Sequence, residues 1–244
     1  MATFHIQSSD DALVAEFETW VRAQAADAIE ARGTFSWALS GGSTPKRLFA
    51  RMAQSGGGNA FPWAKTDLYW GDERDVLPTH LDSNFGAAEA ILLRTLQSSP
   101  RSINRWMTEY RPPEALADYR NKLQRQVEGP WPRLDLVLLG LGPEGHTASL
   151  FPRSPALDSR DWVEHVYVPE HQSWRYTLTL PIINHARTVA FLVTGAPKAE
   201  VVKTILSTPP DAQWPATMVA DEGRLHWFLD QSAASQISDN VGGQ

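Results

Sequence analysis

Residues 135–152 read Asp135-Leu-Val-Leu-Leu-Gly-Leu-Gly-Pro-Glu-Gly-His-Thr-Ala-Ser-Leu-Phe-Pro152. The run 136–139 is continuously apolar, with a charge before it and a glycine after it, which is the pattern of a strand covered on both faces. Gly140, Gly142 and Gly145, with Pro143 among them, require a sharp turn where side chains would obstruct. The segment from His146 to Phe151 then reads as the start of a helix. A buried strand, a glycine turn and a helix start together place His146 at the carboxyl end of a strand. That is the edge at which open α/β sheets bind ligands.

The same alternation recurs on either side. Residues 3–6 suit a short edge strand, and Ser9-Asp10-Asp11 caps a helix that runs to about residue 31 and ends at Gly33. A strand at 35–39 leads into Ser40-Gly-Gly-Ser-Thr-Pro45, where Pro45 suits the first turn of the next helix. A loop of small residues lets backbone N–H groups approach an oxyanion, and a helix N-terminus favours negative charge. Gly41, Gly42, Ser43 and Thr44 therefore form a candidate phosphate cradle, although an ordinary capped turn explains the same residues. The Gly-Lys-Ser/Thr ending of a Walker loop is absent. Gly56-Gly-Gly-Asn59 marks a surface loop.

Further strands are expected at 66–70, within 99–107, and at 162–168, 174–180, 188–193 and 225–229. Helices are expected at 84–96, 112–127, 181–186 and from about 198 to 206. Strands alternating with helices call for an α/β fold: a doubly wound, mostly parallel sheet with helices on both faces, Rossmann-like, with right-handed crossovers. Residues 1–230 read as one domain, and the small, polar stretch 231–244 as a flexible tail.

Composition narrows the function. The chain has 244 residues, a formal net charge of -6, 42% hydrophobic and 20% charged residues, which is ordinary for a globular protein. A nucleic-acid binder would be expected to show a basic patch that this balance does not suggest. There is no cysteine, which removes disulfides, thiolate nucleophiles and Cys-ligated zinc. The first residues have neither a basic flank nor an apolar core, and no apolar run approaches the ~20 residues of a membrane span. The expectation is a cytoplasmic protein with neither membrane nor nucleic acid as partner, a monomer or a small homo-oligomer. The ten tryptophans are scattered and read as packing residues.

Four strand ends carry unusual polar groups: residues 41–44, Asp72-Glu-Arg74, Gly145-His146-Thr147 and Gly195-Ala-Pro-Lys198. Arg175 heads a fifth strand. Parallel strands bring their carboxyl ends to one edge, so these groups can converge. An anion cradle, several cations, a histidine and a carboxylate at one rim suit a phosphorylated small molecule and proton-transfer chemistry.

Three motifs resemble the 6-phosphogluconolactonases: Leu39-Ser-Gly-Gly-Ser-Thr-Pro45, Gly71-Asp-Glu-Arg74 followed by Asp82-Ser-Asn84, and the run from Leu139 to Pro152. Arg175-Tyr-Thr-Leu-Thr179 with Asn184, and Gly195-Ala-Pro-Lys198, fit the same family, in the right order over nearly the whole chain. One departure is Glu144, where the family more usually has aspartate. The resemblance implies hydrolysis of 6-phospho-D-glucono-1,5-lactone to 6-phospho-D-gluconate, the second step of the oxidative pentose phosphate pathway, with no cofactor and no metal. On that basis His146 is the expected general base, with Asp72 orienting it or the attacking water. Arg74, or backbone N–H groups of the turn around Gly145, would stabilise the oxyanion. The phosphate would lie on Gly41, Gly42, Ser43 and Thr44, with Arg74, Arg175 and Lys198 as counter-charges.

Two other readings compete. The related glucosamine-6-phosphate deaminases share the loop plan, but they resemble a pattern with a carboxylate soon after the histidine, where this chain has Leu150 and Phe151. A sugar-phosphate sensor attached to a transcription regulator would expect a DNA-binding segment ahead of the fold. Here the strand and glycine-loop core begins by Phe35, and His146 would have no task.

Overall fold

The computed structural model describes residues 1–54 and 61–237; the surface loop expected at 56–59 lies outside them. In chain order the first elements are β1 (Thr3–Gln7), α1 (Asp10–Arg32), β2 (Phe35–Leu39), α2 (Ser43–Gln54), β3 (Thr66–Trp70), β4 (Asp72–Arg74) and α3 (Asn84–Ile91). Next come β5 (Ser102–Asn104), α4 (Pro112–Leu123), β6 (Val127–Glu128), β7 (Trp131–Pro132) and β8 (Leu136–Leu139). The chain closes with β9 (Val163–Val168), β10 (Ser173–Leu178), α5 (Leu180–His185), β11 (Thr188–Val193), α6 (Ala199–Ser207) and β12 (Leu225–Asp230).

Seven strands form the central sheet in the order β1-β12-β11-β8-β2-β3-β5. Every pairing in it is parallel, as the alternation of strands and helices requires. β2, β3 and β8 are buried along their whole length; β8 reads as an unbroken apolar run, while β2 and β3 also bury Ser36, Thr66 and Asp67. From β2 the order grows through β3 to β5 on one side, and from β8 through β11 to β12 on the other. The switch point therefore lies between β2 and β8, where the loops leaving the two strands diverge and open a crevice. Asp135 locks this pair together: its carboxylate accepts the Ser36 N–H and hydroxyl, both at 2.8 Å. The tryptophans behave as packing residues at Trp37, Trp63, Trp70, Trp106 and Trp227, all fully buried.

Three expectations need correction. The segment 174–180 does not join the central sheet. β10 instead pairs antiparallel with β4 and β9 in a separate three-stranded sheet, with Arg175 opposite Arg74. So Arg175 reaches the crevice from a strand that does not belong to the parallel set.

The second correction is that no helix comes after His146. Thr147 and Leu150 form an antiparallel bridge, and Ala148 takes a φ of 48°. The cause is competition from side chains: the Thr147 hydroxyl donates to the Gly140 carbonyl (2.9 Å), and the Ser149 hydroxyl donates to Asp72 (2.8 Å). Pro152 also disfavours a helical Phe151.

The third concerns the tail. Residues 231–237 fold back on the core, with Ala233 fully buried and its N–H bonded to Asp230 at 2.7 Å. The rest of the expected tail lies outside the described residues. Among those described, no helix is long and apolar enough to cross a membrane.

Candidate active site

A cleft of about 240 Å³ opens at the switch point. Gly41, Gly42, Ser43, Thr44, Asp72, Arg74, His146, Arg175 and Lys198 all line it. Of the residues expected there, Gly145 alone stands back. Its φ is +78°, and a Cβ there would fall 2.6 Å from the Trp214 ring. It shapes the turn and does not line the cleft.

One wall is the loop between β2 and α2. Gly42 has a φ of +103°, a conformation that side chains resist. Gly41 is packed against Asn84 so closely that a Cβ would lie 1.8 Å from its Oδ1. The helix begins at Ser43, so its first N–H groups lack intrahelical acceptors and present the positive end of the helix dipole. Thr44 is tied by its hydroxyl to that of Thr194, just after β11, at 2.9 Å.

The cations stand around this loop. Because Arg74 and Arg175 are register partners on β4 and β10, they project to the same face. The Arg74 Nη1 donates to the Asp82 carbonyl (2.7 Å) while its buried Nε has no partner, and the Arg175 Nε donates to Ser173 (2.9 Å). Lys198 donates to the Leu141 carbonyl at 2.7 Å. Among the described residues none of the three forms an ion pair. Burial lowers the Arg175 pKa, and the neighbouring Arg74 charge adds to the effect. Burial likewise lowers that of Lys198, opposed by Glu144. Partly desolvated like charges side by side are costly until an anion sits between them.

The opposite wall carries the histidine. The His146 ring lies over Gly142, where a Cβ would fall 1.9 Å from Nδ1. On its other side the ring stacks on Phe151, centroids 4.0 Å apart. Nδ1 is 3.2 Å from Glu144 Oε1, but the alignment falls short of a hydrogen bond and Nδ1 has no other partner. The His146 side chain holds the Glu144 carboxyl down at about 2, against the effect of burial. His171 Nε2 lies 3.9 Å from the same oxygen.

Two further expectations change here. The carboxylate beside the imidazole is Glu144, not Asp72. Asp72 is buried and held by Ser149 (2.8 Å) and by the Asn84 amide (3.2 Å), without a hydrogen bond or ion pair to His146. The turn amides of Gly142 and Gly145 are also spoken for, donating to the carbonyls of His146 (2.8 Å) and Gly142 (3.0 Å). Neither is available to an oxyanion.

Between the two wall residues of β4, Glu73 points away from the cleft. It accepts the backbone N–H groups of Arg74, Asn84 and Phe85 at 2.7–2.8 Å. Burial pushes its carboxyl up to about 7 against the pull of those bonds. This anchor fixes β4 to the start of α3, and strand alternation then aims both Asp72 and Arg74 at the cleft. Sequence reasoning missed the roles of Asn84, Ser149 and Thr194. Asn84 was visible within Asp82-Ser-Asn84, whereas Ser149 and Thr194 carry no local signal. Among the described residues no group of three or more His, Asp or Glu side chains is placed to hold a metal ion.

A family model described as glucosamine-6-phosphate isomerases/6-phosphogluconolactonase matches residues 8–227. The chain belongs to this family. A 6-phosphogluconolactonase of Synechocystis is 42% identical over 215 residues, covering 86% of this chain and 88% of the relative. The human 6-phosphogluconolactonase is 38% identical, covering 85% and 83%. Among solved structures, the 6-phosphogluconolactonase from Trypanosoma brucei superposes with a TM-score of 0.85 at 28% identity, covering 98% of this chain and 99% of that one. A monomeric glucosamine-6-phosphate deaminase reaches 0.81 at 16% identity and shares the fold alone. The likeness bears out the mostly parallel, doubly wound sheet.

Proposed function

We propose that this chain hydrolyses 6-phospho-D-glucono-1,5-lactone to 6-phospho-D-gluconate. The observation that carries the reading is one juxtaposition: an imidazole with Glu144 beside its Nδ1 faces a helix N-terminus and three cations that form no ion pair among the described residues, across a single cleft. A substrate that is anionic at one end and electrophilic at the other fits that division.

The phosphate lies on the loop of Gly41, Gly42, Ser43 and Thr44, with Arg74, Arg175 and Lys198 as counter-charges. With Nδ1 turned to Glu144, Nε2 of neutral His146 accepts a proton from water as the water oxygen bonds to the lactone carbonyl carbon. Glu144 stabilises the imidazolium that forms. The tetrahedral oxyanion is met by a cation of the rim; one such preorganised donor is worth about 3 kcal/mol. When the intermediate collapses, the ring C–O bond breaks and the imidazolium returns its proton to the leaving hydroxyl. Asp72, held by Asn84 and Ser149, positions the water or a sugar hydroxyl. On this reading the protein is a cytoplasmic monomer or small homo-oligomer in which residues 1–230 act as one domain.

The deaminase reading rests on the shared family and fold alone. Where an isomerisation calls for a further carboxylate, Leu150 and Phe151 are buried. The deciding assay offers freshly made phospholactone and glucosamine 6-phosphate to the purified protein. Acid release from the first without ammonia from the second is expected, and the reverse result overturns the reading.

A further inference from the structure

The amino edge of the central sheet carries a second cavity, of about 220 Å³. It opens beside the starts of β2, β8 and β11, so the length of the strands, roughly 15–20 Å, separates it from the cleft. Arg32, Arg125, Arg133 and Arg187 line it, together with only two carboxylates, Glu128 and Asp135. In a chain of net charge -6, this is a local excess of positive charge.

Both carboxylates are oversubscribed. Asp135 pairs with Arg32 (2.7 Å) and Arg187 (3.4 Å) while already accepting two hydrogen bonds from Ser36. Glu128 is shared by Arg133 (2.9 Å) and Arg187. Arg125 forms no ion pair among the described residues, where the buried Nε of Arg133 has no hydrogen-bond partner and that of Arg187 has only its 3.4 Å ion-pair contact with Asp135. Guanidinium donors therefore outnumber acceptors, around a space nearly as large as the cleft itself. Partly exposed ion pairs contribute little, so pairing alone gives small return for crowding four like charges. Forked guanidinium donors match the oxygens of a phosphoryl group.

We propose that this cavity is a second anion site, which takes the phosphoryl group of free phosphate or of a phosphorylated metabolite. It is separate from the catalytic cleft and is held by Arg125, Arg133 and Arg187.

Calorimetric titration of the full chain with inorganic phosphate tests this. Two classes of site are expected. Arg175→Gln weakens the class that belongs to the cleft, while Arg125→Gln with Arg133→Gln removes the other and leaves lactone turnover unchanged. Arg125→Gln alone, a change to an exposed side chain without an ion pair, weakens the second class about threefold to tenfold. Glu128→Gln has the opposite sign and tightens it by a similar factor, a result that a purely structural ion network does not give. Parallel titration with 6-phosphogluconate separates the sources: tighter binding at the second class assigns it to a phosphorylated metabolite, equal binding to free phosphate. A single class that vanishes with Arg175→Gln overturns the proposal. So does a second class that ignores the changes at Arg125, Arg133 and Glu128.

Discussion

Two glycine turns flank the switch point, one after β2 and one after β8, and they use their backbone in opposite ways. The first runs straight into α2, and the N–H groups at the start of that helix stay free to face the cleft. The second spends the N–H groups of Gly142 and Gly145 on its own carbonyls and offers a side chain, His146, in their place. The same sequence device, a buried strand running into glycine, thus yields an electrostatic cradle in one case and a rigid pedestal in the other. The residues just beyond the glycines make the difference. Ser43-Thr-Pro45 permits a helix, whereas Thr147 and Ser149 hydrogen-bond elsewhere and forbid one.

If the division of labour is right, each turn fails in its own way. The largest effect is expected for His146→Ala, which should lower the lactonase kcat by about 10³-fold with KM little changed, given what a positioned base contributes. A rate near wild type would remove the pedestal's chemical role. Ser43→Ala with Thr44→Ala should act on the other turn, raising KM for the phospholactone about 30-fold, as loss of hydrogen bonds to a charged group implies. Turnover of unphosphorylated gluconolactone should be unaffected, and equal damage to both substrates breaks the comparison.

The smallest effect is expected for Glu144→Gln, about tenfold in kcat, since it withdraws only the charge beside the imidazolium. Glu144 also has a pH signature. Its folded-state value, about 2 against an ordinary 4.5, means that its contribution to stability is present above 4.5 and lost as the pH falls toward 2. Denaturation of wild type and variant should therefore differ at pH 5 and converge as the pH approaches 2. A gap that is constant with pH would show that the pair is not coupled to folding.

How much of this was legible depended on whether the cause was local. β8 could be read because burial on both faces leaves an unbroken apolar run, and β2 and β3 because theirs are short, mostly apolar and bounded by glycine. The cradle was legible because Gly42, Ser43 and Pro45 are each bound to a position by backbone geometry. The antiparallel sheet of β4, β9 and β10 was not, although a clue was present. The segment 174–180 alternates in its sequence, which suits an antiparallel strand rather than one of the apolar runs of the parallel sheet. The missing helix at 146–151 was invisible because its decisive bond, Ser149 to Asp72, joins residues 77 apart in the chain. The choice between Asp72 and Glu144 as the carboxylate beside His146 was hidden for a related reason. Glu144 is only two residues from the histidine, and a turn, unlike a helix or strand, gives no rule for which side chains meet.

The pairing of β1 with β12 has a consequence for how the molecule is made. β1 has no other neighbour in the sheet, and β12 lies between it and β11. During synthesis the first strand must therefore wait, unpaired, until residues near 230 have left the ribosome. α1, which packs against both strands, cannot complete its docking before then. Chains cut short of β12 would release the opening segment along with the missing one, exposing an apolar helix face and two sheet edges, the kind of surface on which partly made proteins aggregate.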